Sequence, residues 1–201
     1  MARPRSTCKV SHAISPWAER EIHLYTANST PGDKKIDIPV SFVTHRATKL
    51  FRGDVIAKCV TALPKLSASG NTESERTLSG GLKTIPWGQH FWPILVSTPE
   101  RAILEVIDEL PTIITFEHVD GLMEGLSTLS PRRLQHLLER CDSVKVKRLF
   151  IWLADRHRHA WRSRIDENRI DLGSGKRMIV KGGRLDSKYR VTVPEALGGD
   201  L

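Results

Sequence analysis

The sequence of 201 residues has little cysteine, few aromatic residues and no long hydrophobic run. Its three cysteines, Cys8, Cys59 and Cys141, are widely spaced and odd in number, which argues against a disulfide framework or a metal knuckle and indicates reduced thiols. No apolar stretch approaches the roughly 18–20 residues that cross a bilayer. Residues 1–15 lack the hydrophobic core of a secretory signal, so we predict a cytoplasmic protein without a membrane partner.

Positive charge is abundant and unevenly distributed. The chain has 31 Lys and Arg against 23 Asp and Glu, for a net charge of +8. Residues 131–190 alone hold 17 basic and 7 acidic residues, so the rest of the chain is slightly acidic. A concentrated basic field attracts polyanions or an acidic protein face. Nucleic acid, as promoter DNA or RNA, is therefore a predicted partner, and the alternative is a solvated surface that keeps the protein soluble.

The order of patterns along the chain predicts an α+β fold with a small N-terminal antiparallel sheet, about four helices in the middle and a C-terminal β-hairpin. An irregular segment is expected at residues 1–20 and a single domain at residues 21–201. Within that domain the successive regions are a β-rich part at 21–96, a helical part at 97–165 and a hairpin tail at 170–197.

Local start and stop signals predict the helices. The first begins near Pro99, after hydroxyl residues that can cap it, and Pro111 stops it. Ser130 and Pro131 repeat this start signal for the third helix. Apolar residues at helical spacing predict the second and fourth helices, at residues 116–126 and 147–161.

The fourth helix and the tail carry most of the candidate binding residues. A turn of 100° per residue places Trp152 outside the apolar arc of the helix, beside arginines, as in contact anchors; burial under a neighbouring loop is the alternative. Strands at 176–181 and 189–193 would present their basic residues on one face. The predicted docking surface comprises Arg148, Trp152, Arg156, Arg158, Arg162, Lys176, Arg177, Lys181, Arg184, Lys188 and Arg190.

One enzymatic pattern is present, and two others fail. The segment Gly173–Lys176 lacks the glycine and hydroxyl that a phosphate loop requires, and a zinc site is not indicated. Asp171 followed by Asp186 and Lys188 resembles the spacing of metal-dependent nucleases, in which two acids hold Mg²⁺ and a lysine assists. Turn-capping aspartates and a solvated lysine explain the same residues. We predict a non-enzymatic protein without a cofactor.

Several segments of residues 96–197 resemble the C-terminal region of AbiEi-family antitoxins of type IV toxin–antitoxin systems. In chain order they are Ser97-Thr-Pro-Glu-Arg-Ala-Ile-Leu-Glu105, Leu129-Ser-Pro-Arg-Arg-Leu134, Val144-Lys-Val-Lys-Arg-Leu-Phe150, Asp171-Leu-Gly-Ser-Gly-Lys-Arg177 and Lys181-Gly-Gly-Arg-Leu-Asp-Ser-Lys-Tyr-Arg-Val-Thr-Val-Pro194.

The resemblance implies a cytosolic bacterial protein that counters a nucleotidyltransferase-like toxin in abortive phage defence, without a stable complex between the two. It also implies repression of the protein's own operon, in which an N-terminal winged helix reads the promoter and basic C-terminal residues assist. Residues 1–20 are too short for a winged helix, so we expect the antitoxin region and its basic surface alone. The alternatives are the nuclease above and a protein–protein interaction module anchored by Trp152.

Overall fold

Strands precede and follow a run of four helices, which confirms the predicted α+β class. The computed structural model describes residues 8–11, 20–26, 40–46, 50–51, 77–78, 80–87, 89 and 92–197. The chain divides into two compact units, Met1–Thr98 and Pro99–Leu201. Two compact units can belong to one domain, so the predicted single domain at 21–201 stays a prediction.

The first unit contains two small sheets. In the first sheet, β1 (Cys8–Ser11) pairs antiparallel with β2 (Arg20–Thr26), and β2 pairs in parallel with β3 (Val40–Arg46). The antiparallel pairing predicted near the N-terminus is thus present between β1 and β2, whereas β3 makes the sheet mixed. Strand β1 also lies inside residues 1–20, which the sequence predicts to be irregular.

The second sheet is an antiparallel meander of β4 (Thr77–Leu78), β5 (Leu82–Trp87) and β6 (Trp92–Ser97). Gly80 and Gly81 form the turn between β4 and β5 with φ of 82° and 73°, a conformation that glycine adopts without steric cost. Leu82 and Leu95 are buried in this unit.

The first three helices begin at the predicted signals. They are α1 (Pro99–Asp108), α2 (Phe116–Gly125) and α3 (Pro131–Arg140). The hydroxyl of Ser130 accepts a hydrogen bond from the backbone N–H of Arg133 and caps α3. The buried Glu100 carboxylate accepts from Ser130 N at 2.9 Å and from Arg133 Nη1 at 2.8 Å, which joins α1 to the start of α3.

Helix α4 (Val144–His157) is the centre of the second unit. It ends at Arg158, whose left-handed backbone (φ 50°) closes the helix, so the predicted end at residue 161 is wrong. A 3₁₀ turn at Ala160–Arg164 follows. Among the described residues, no helix has the length and apolar character that spanning a membrane requires.

Trp152 lies in the core, because α4 is buried on nearly all sides. Ile151 is fully buried and Trp152 is 2% exposed, although both fall outside the apolar arc that the sequence predicts. The prediction of Trp152 as an exposed contact anchor is therefore wrong. The helical projection assumes one buried face, whereas α4 contacts α1 and α2 and is also bonded, through Arg148 and Asp155, to the loop and hairpin that follow it.

The C-terminal hairpin forms between β7 (Arg184–Asp186) and β8 (Val191–Val193), so the predicted first strand at 176–181 is wrong. Ile179 and Val180 donate their backbone N–H groups to the Thr192 hydroxyl, at 2.7 and 3.1 Å, and form no strand ladder. Gly183 lies against the Val193 carbonyl: a Cβ there would be 2.4 Å from that oxygen, so only glycine fits.

Replacement of Trp152 by alanine tests the core assignment. We expect Trp152→Ala to lower the free energy of unfolding by about 3–5 kcal/mol, since it removes a large, fully packed side chain. Urea denaturation measures the loss. The control is Ile113→Ala, because Ile113 is 56% exposed and its truncation should change stability by no more than about 0.5 kcal/mol. Equal stability of Trp152→Ala and wild type would contradict the assignment.

Candidate nucleic-acid interface

The buried guanidinium of Arg148 organises the loop after α4. Arg148 is 3% exposed. Its Nε donates to the carbonyl of Leu172 at 2.7 Å, while Nη1 and Nη2 donate to the carbonyls of Gly175 and Gly173 at 2.6 and 3.0 Å. Nη1 also lies 3.4 Å from the carbonyl of Arg190. Arg148 therefore serves to hold the loop, and its predicted place on the exposed surface is wrong.

The glycines of this loop allow the carbonyls to face Arg148. Gly173 and Gly175 have φ of 62° and 76°, in the region that side chains other than glycine rarely adopt. A Cβ at Gly173 would lie 3.0 Å from a methyl group of Val144. Asp171 Oδ1 accepts from Gly173 N at 2.9 Å and fixes the start of the turn.

Arg177 and Arg190 are exposed, and a hydrogen bond connects their backbones. Arg177 N donates to Arg190 O at 2.8 Å, and Thr192 N donates to Arg177 O at 3.0 Å. Burial lowers the pKa of Arg148, and the positive charges of Arg177 and Arg190 lower it further. Within the part of the chain that the structure describes, no carboxylate forms an ion pair with Arg177 or Arg190.

Further predicted residues are exposed around this pair in sequence. They are Lys176 in the loop, Lys181 before β7 and Arg184 within it. Arg158 is exposed as well, but it follows α4 and lies 19 residues before Arg177. Met178 follows Arg177 and is 72% exposed. Six of the predicted cations thus occupy exposed positions in one segment of about 15 residues: Lys176, Arg177, Lys181, Arg184, Lys188 and Arg190.

A second group of predicted cations is neutralised by carboxylates. Asp155, on α4, accepts from Lys188 Nζ at 2.7 Å and from the Tyr189 hydroxyl, and its Oδ1 lies 2.7 Å from Arg162 Nε. Arg162 Nη2 also pairs with Glu167. The network attaches the hairpin and the 3₁₀ turn to α4. Arg162 and Lys188 therefore have a structural role in the described fold.

The charges of this network stabilise one another. Burial alone would raise the pKa of Asp155, but the hydrogen bonds from Lys188 and Tyr189 and the charge of Arg162 lower it. Burial and the hydrogen bond to Asp155 raise the pKa of Tyr189 to about 12. At neutral pH the network thus contains an ionised Asp155 and a protonated Tyr189.

Arg156 is also committed to a structural contact. Its Nε donates to Asp120 Oδ1 at 3.1 Å and its Nη1 donates to the carbonyl of Leu197 at 2.9 Å. His157 Nε2 lies 2.8 Å from the same Asp120 oxygen. These contacts join the end of α4 to α2 and to the C-terminal 3₁₀ turn, which leaves Arg156 only partly available to a ligand.

The residues of the nuclease pattern make local contacts instead. Asp171 caps the turn at Gly173, Asp186 Oδ1 accepts from Tyr189 N at 2.8 Å, and Lys188 pairs with Asp155. No group of three or more His, Cys, Asp or Glu side chains among the described residues could hold a metal ion. Burial raises the pKa of Cys141 to about 11, so this thiol stays protonated. The geometry favours the turn-capping interpretation.

The sequence analysis does not identify the acidic residues that pair with the predicted cations. Asp155, Glu167 and Tyr189 decide which cations are neutralised, yet Asp155 lies 33 residues from Lys188. No spacing rule joins residues so far apart in sequence. The only available signal was that Asp155 is the one carboxylate within α4.

Removal of Arg148 tests its role in holding the loop. Arg148→Ala removes the side chain that donates to the carbonyls of Leu172, Gly173 and Gly175, so we expect a loss of about 3 kcal/mol in unfolding free energy by urea denaturation. Arg148→Lys should not restore stability, because a single ammonium group cannot reproduce the several N–H donors that the planar guanidinium directs at these carbonyls. The control is Arg164→Ala, which removes an exposed arginine. A stability loss no larger than that of the control would refute the role.

The Asp155 network predicts a dependence of stability on pH. A lowered pKa in the folded state stabilises the fold above the unfolded pKa of about 3.9, and this contribution disappears as pH falls through the folded pKa. Asp155→Asn should therefore be about 1–3 kcal/mol less stable at neutral pH, and the gap to wild type should close in acid. Glu124→Gln, which changes an exposed carboxylate, is the control in urea denaturation at both pH values. A gap that persists in acid would contradict the network.

Comparison with known proteins identifies the family. Residues 67–194 match a family model described as "Transcriptional regulator, AbiEi antitoxin, Type IV TA system". No curated protein and no solved structure matches the chain. The matched range includes α1 to α4, the loop around Arg148 and the hairpin. The family is a regulatory, non-enzymatic one. The chain belongs to the AbiEi antitoxin family of type IV toxin–antitoxin systems.

Proposed function

We propose that the protein is the antitoxin that counters a nucleotidyltransferase-like toxin, and that it contributes to repression of its own operon through a basic nucleic-acid-binding surface. The observation that carries the nucleic-acid part is the group of exposed cations Lys176, Arg177, Lys181 and Arg190, for which the described residues provide no carboxylate partner. Membership of the antitoxin family supports the toxin part.

The proposed binding surface includes fewer residues than the set of cations predicted from the sequence. Arg148 is buried, and Arg156, Arg162 and Lys188 are paired with Asp120 or Asp155, so these four are less available to a polyanion. Arg184 extends the surface as an exposed residue, whereas Arg158, at the end of α4, lies outside the segment 176–190 that carries the surface. Phosphate contacts release counterions from nucleic acid, which makes such binding strongly dependent on salt.

We propose that the protein acts by binding and not by catalysis. Asp171 and Asp186 accept backbone hydrogen bonds within their own turns, which supports this proposal over a nuclease. The location that fits such a protein is the bacterial cytoplasm, where both the operon and the toxin's substrates are found. A stable complex with the toxin is not part of the proposal.

Co-expression tests the antitoxin function. We expect a gene for a nucleotidyltransferase-like toxin beside this one. Induction of that gene should stop growth, and co-expression of this protein should restore it. Trp152→Ala, which destabilises the core, provides a folding-deficient control that should rescue less. Growth arrest that persists in the presence of soluble wild-type protein would contradict the proposed function.

Gel-shift titrations with the DNA upstream of the gene test the binding surface. Four phosphate contacts predict a slope of about −3.6 in a plot of log affinity against log salt concentration. Arg169→Ala serves as the control, because it removes an exposed arginine that is paired with Glu139, and the slope should not change. A flat salt response of the wild type would refute nucleic-acid binding by this surface.

A further inference from the structure

We infer that Arg177 and Arg190 act together as a phosphate-binding pair that contacts the sugar–phosphate backbone of a nucleic acid. The inference rests on the proposed nucleic-acid binding and specifies which two of the exposed cations carry it. The ligand is the phosphodiester group, which DNA and RNA share.

The two residues are linked by the backbone, which fixes their relative placement. The hydrogen bond from Arg177 N to Arg190 O and the bond from Thr192 N to Arg177 O place Arg177 beside the first residues of β8. The Arg190 carbonyl also accepts from Arg148, so the pair is connected to α4 through a buried side chain. A loop fixed in this way loses little conformational freedom when it binds a ligand.

Among the described residues, no carboxylate forms an ion pair with Arg177 or Arg190. The two exposed arginines are joined by a backbone hydrogen bond, and the buried Arg148 beside them donates only to neutral carbonyls, that of Arg190 included. In the Asp155 network, by contrast, carboxylates face Arg162 and Lys188. A cationic cluster that the described fold leaves uncompensated attracts an anion.

Phosphodiester groups fit this pair. A guanidinium donates two parallel N–H bonds to a phosphate, and two exposed guanidinium groups can contact successive phosphates of one strand. Such contacts position a protein on nucleic acid without reading the bases. The pair should therefore bind duplexes of different sequence with similar affinity.

The backbone conformation of Arg190 allows its side chain to be removed without a change in the fold. Arg190 has a φ of 54°, a conformation that favours glycine, so Arg190→Gly removes the guanidinium and retains the carbonyl that Arg148 and Arg177 bind. Arg158→Gly is the matched control, because Arg158 has a φ of 50°, is exposed and carries the same charge. Both variants should be no less stable than wild type in urea.

The experiment measures fluorescence anisotropy of a random-sequence DNA duplex and of a single-stranded RNA over a range of salt concentrations. Arg177→Gln and Arg190→Gly should each weaken binding about tenfold at low salt and reduce the magnitude of the salt slope by about 1. Arg158→Gly should bind as wild type does. The two probes show whether DNA, RNA or both supply the phosphate.

The outcomes separate this inference from the proposed function. If wild type binds with a steep salt response while Arg177→Gln and Arg190→Gly keep its affinity, the pair is refuted and the wider surface stands. If Arg158→Gly weakens binding equally, the pair is also refuted, because any exposed cation would suffice. If wild type binds neither probe at low salt, both the pair and the nucleic-acid part of the proposed function fail.

Discussion

The fold of the C-terminal segment depends on one buried charge, the guanidinium of Arg148. A buried charge is tolerated only when polar groups replace its water, and here the carbonyls of Leu172, Gly173, Gly175 and Arg190 do so. This arrangement ties α4 to the loop and to the hairpin at the same time. Because the partners are neutral, the positive charge of Arg148 remains and adds to the potential around Arg177 and Arg190.

Helix α4 divides the cations of the basic segment into two groups. In the first half of the helix, Arg148 supports a loop whose cations remain exposed, whereas towards its end Asp155 pairs with Arg162 and Lys188. The number of basic residues in the segment is therefore larger than the number that is available to bind a polyanion. A regulatory protein of the AbiEi family gains from this division, since paired cations stabilise the fold and unpaired ones attract the ligand.

The helices could be predicted from the sequence because their signals are local: Pro99, Ser130 and Pro131 act on their own helix ends. Features that depend on residues far apart in the chain could not be predicted in this way. Trp152 is buried although it falls outside the apolar arc of its helix, and in place of the strand expected at 176–181 the backbone N–H groups of Ile179 and Val180 donate to Thr192. The sequence also does not distinguish one arginine from another, although Arg148 is buried and bonded to carbonyls, whereas Arg162 is paired with Asp155. The family resemblance depended on the order of several motifs and is confirmed.

Arginine-specific chemical modification, followed by mass spectrometry of the peptides, tests the central claim most directly. We expect Arg148 to be unreactive with and without a DNA duplex. Arg177 and Arg190 should react in the free protein and become protected in the complex, whereas Arg158 should react in both. Ready modification of Arg148 in the folded protein, or equal reactivity of Arg177 and Arg190 with and without bound duplex, would contradict it.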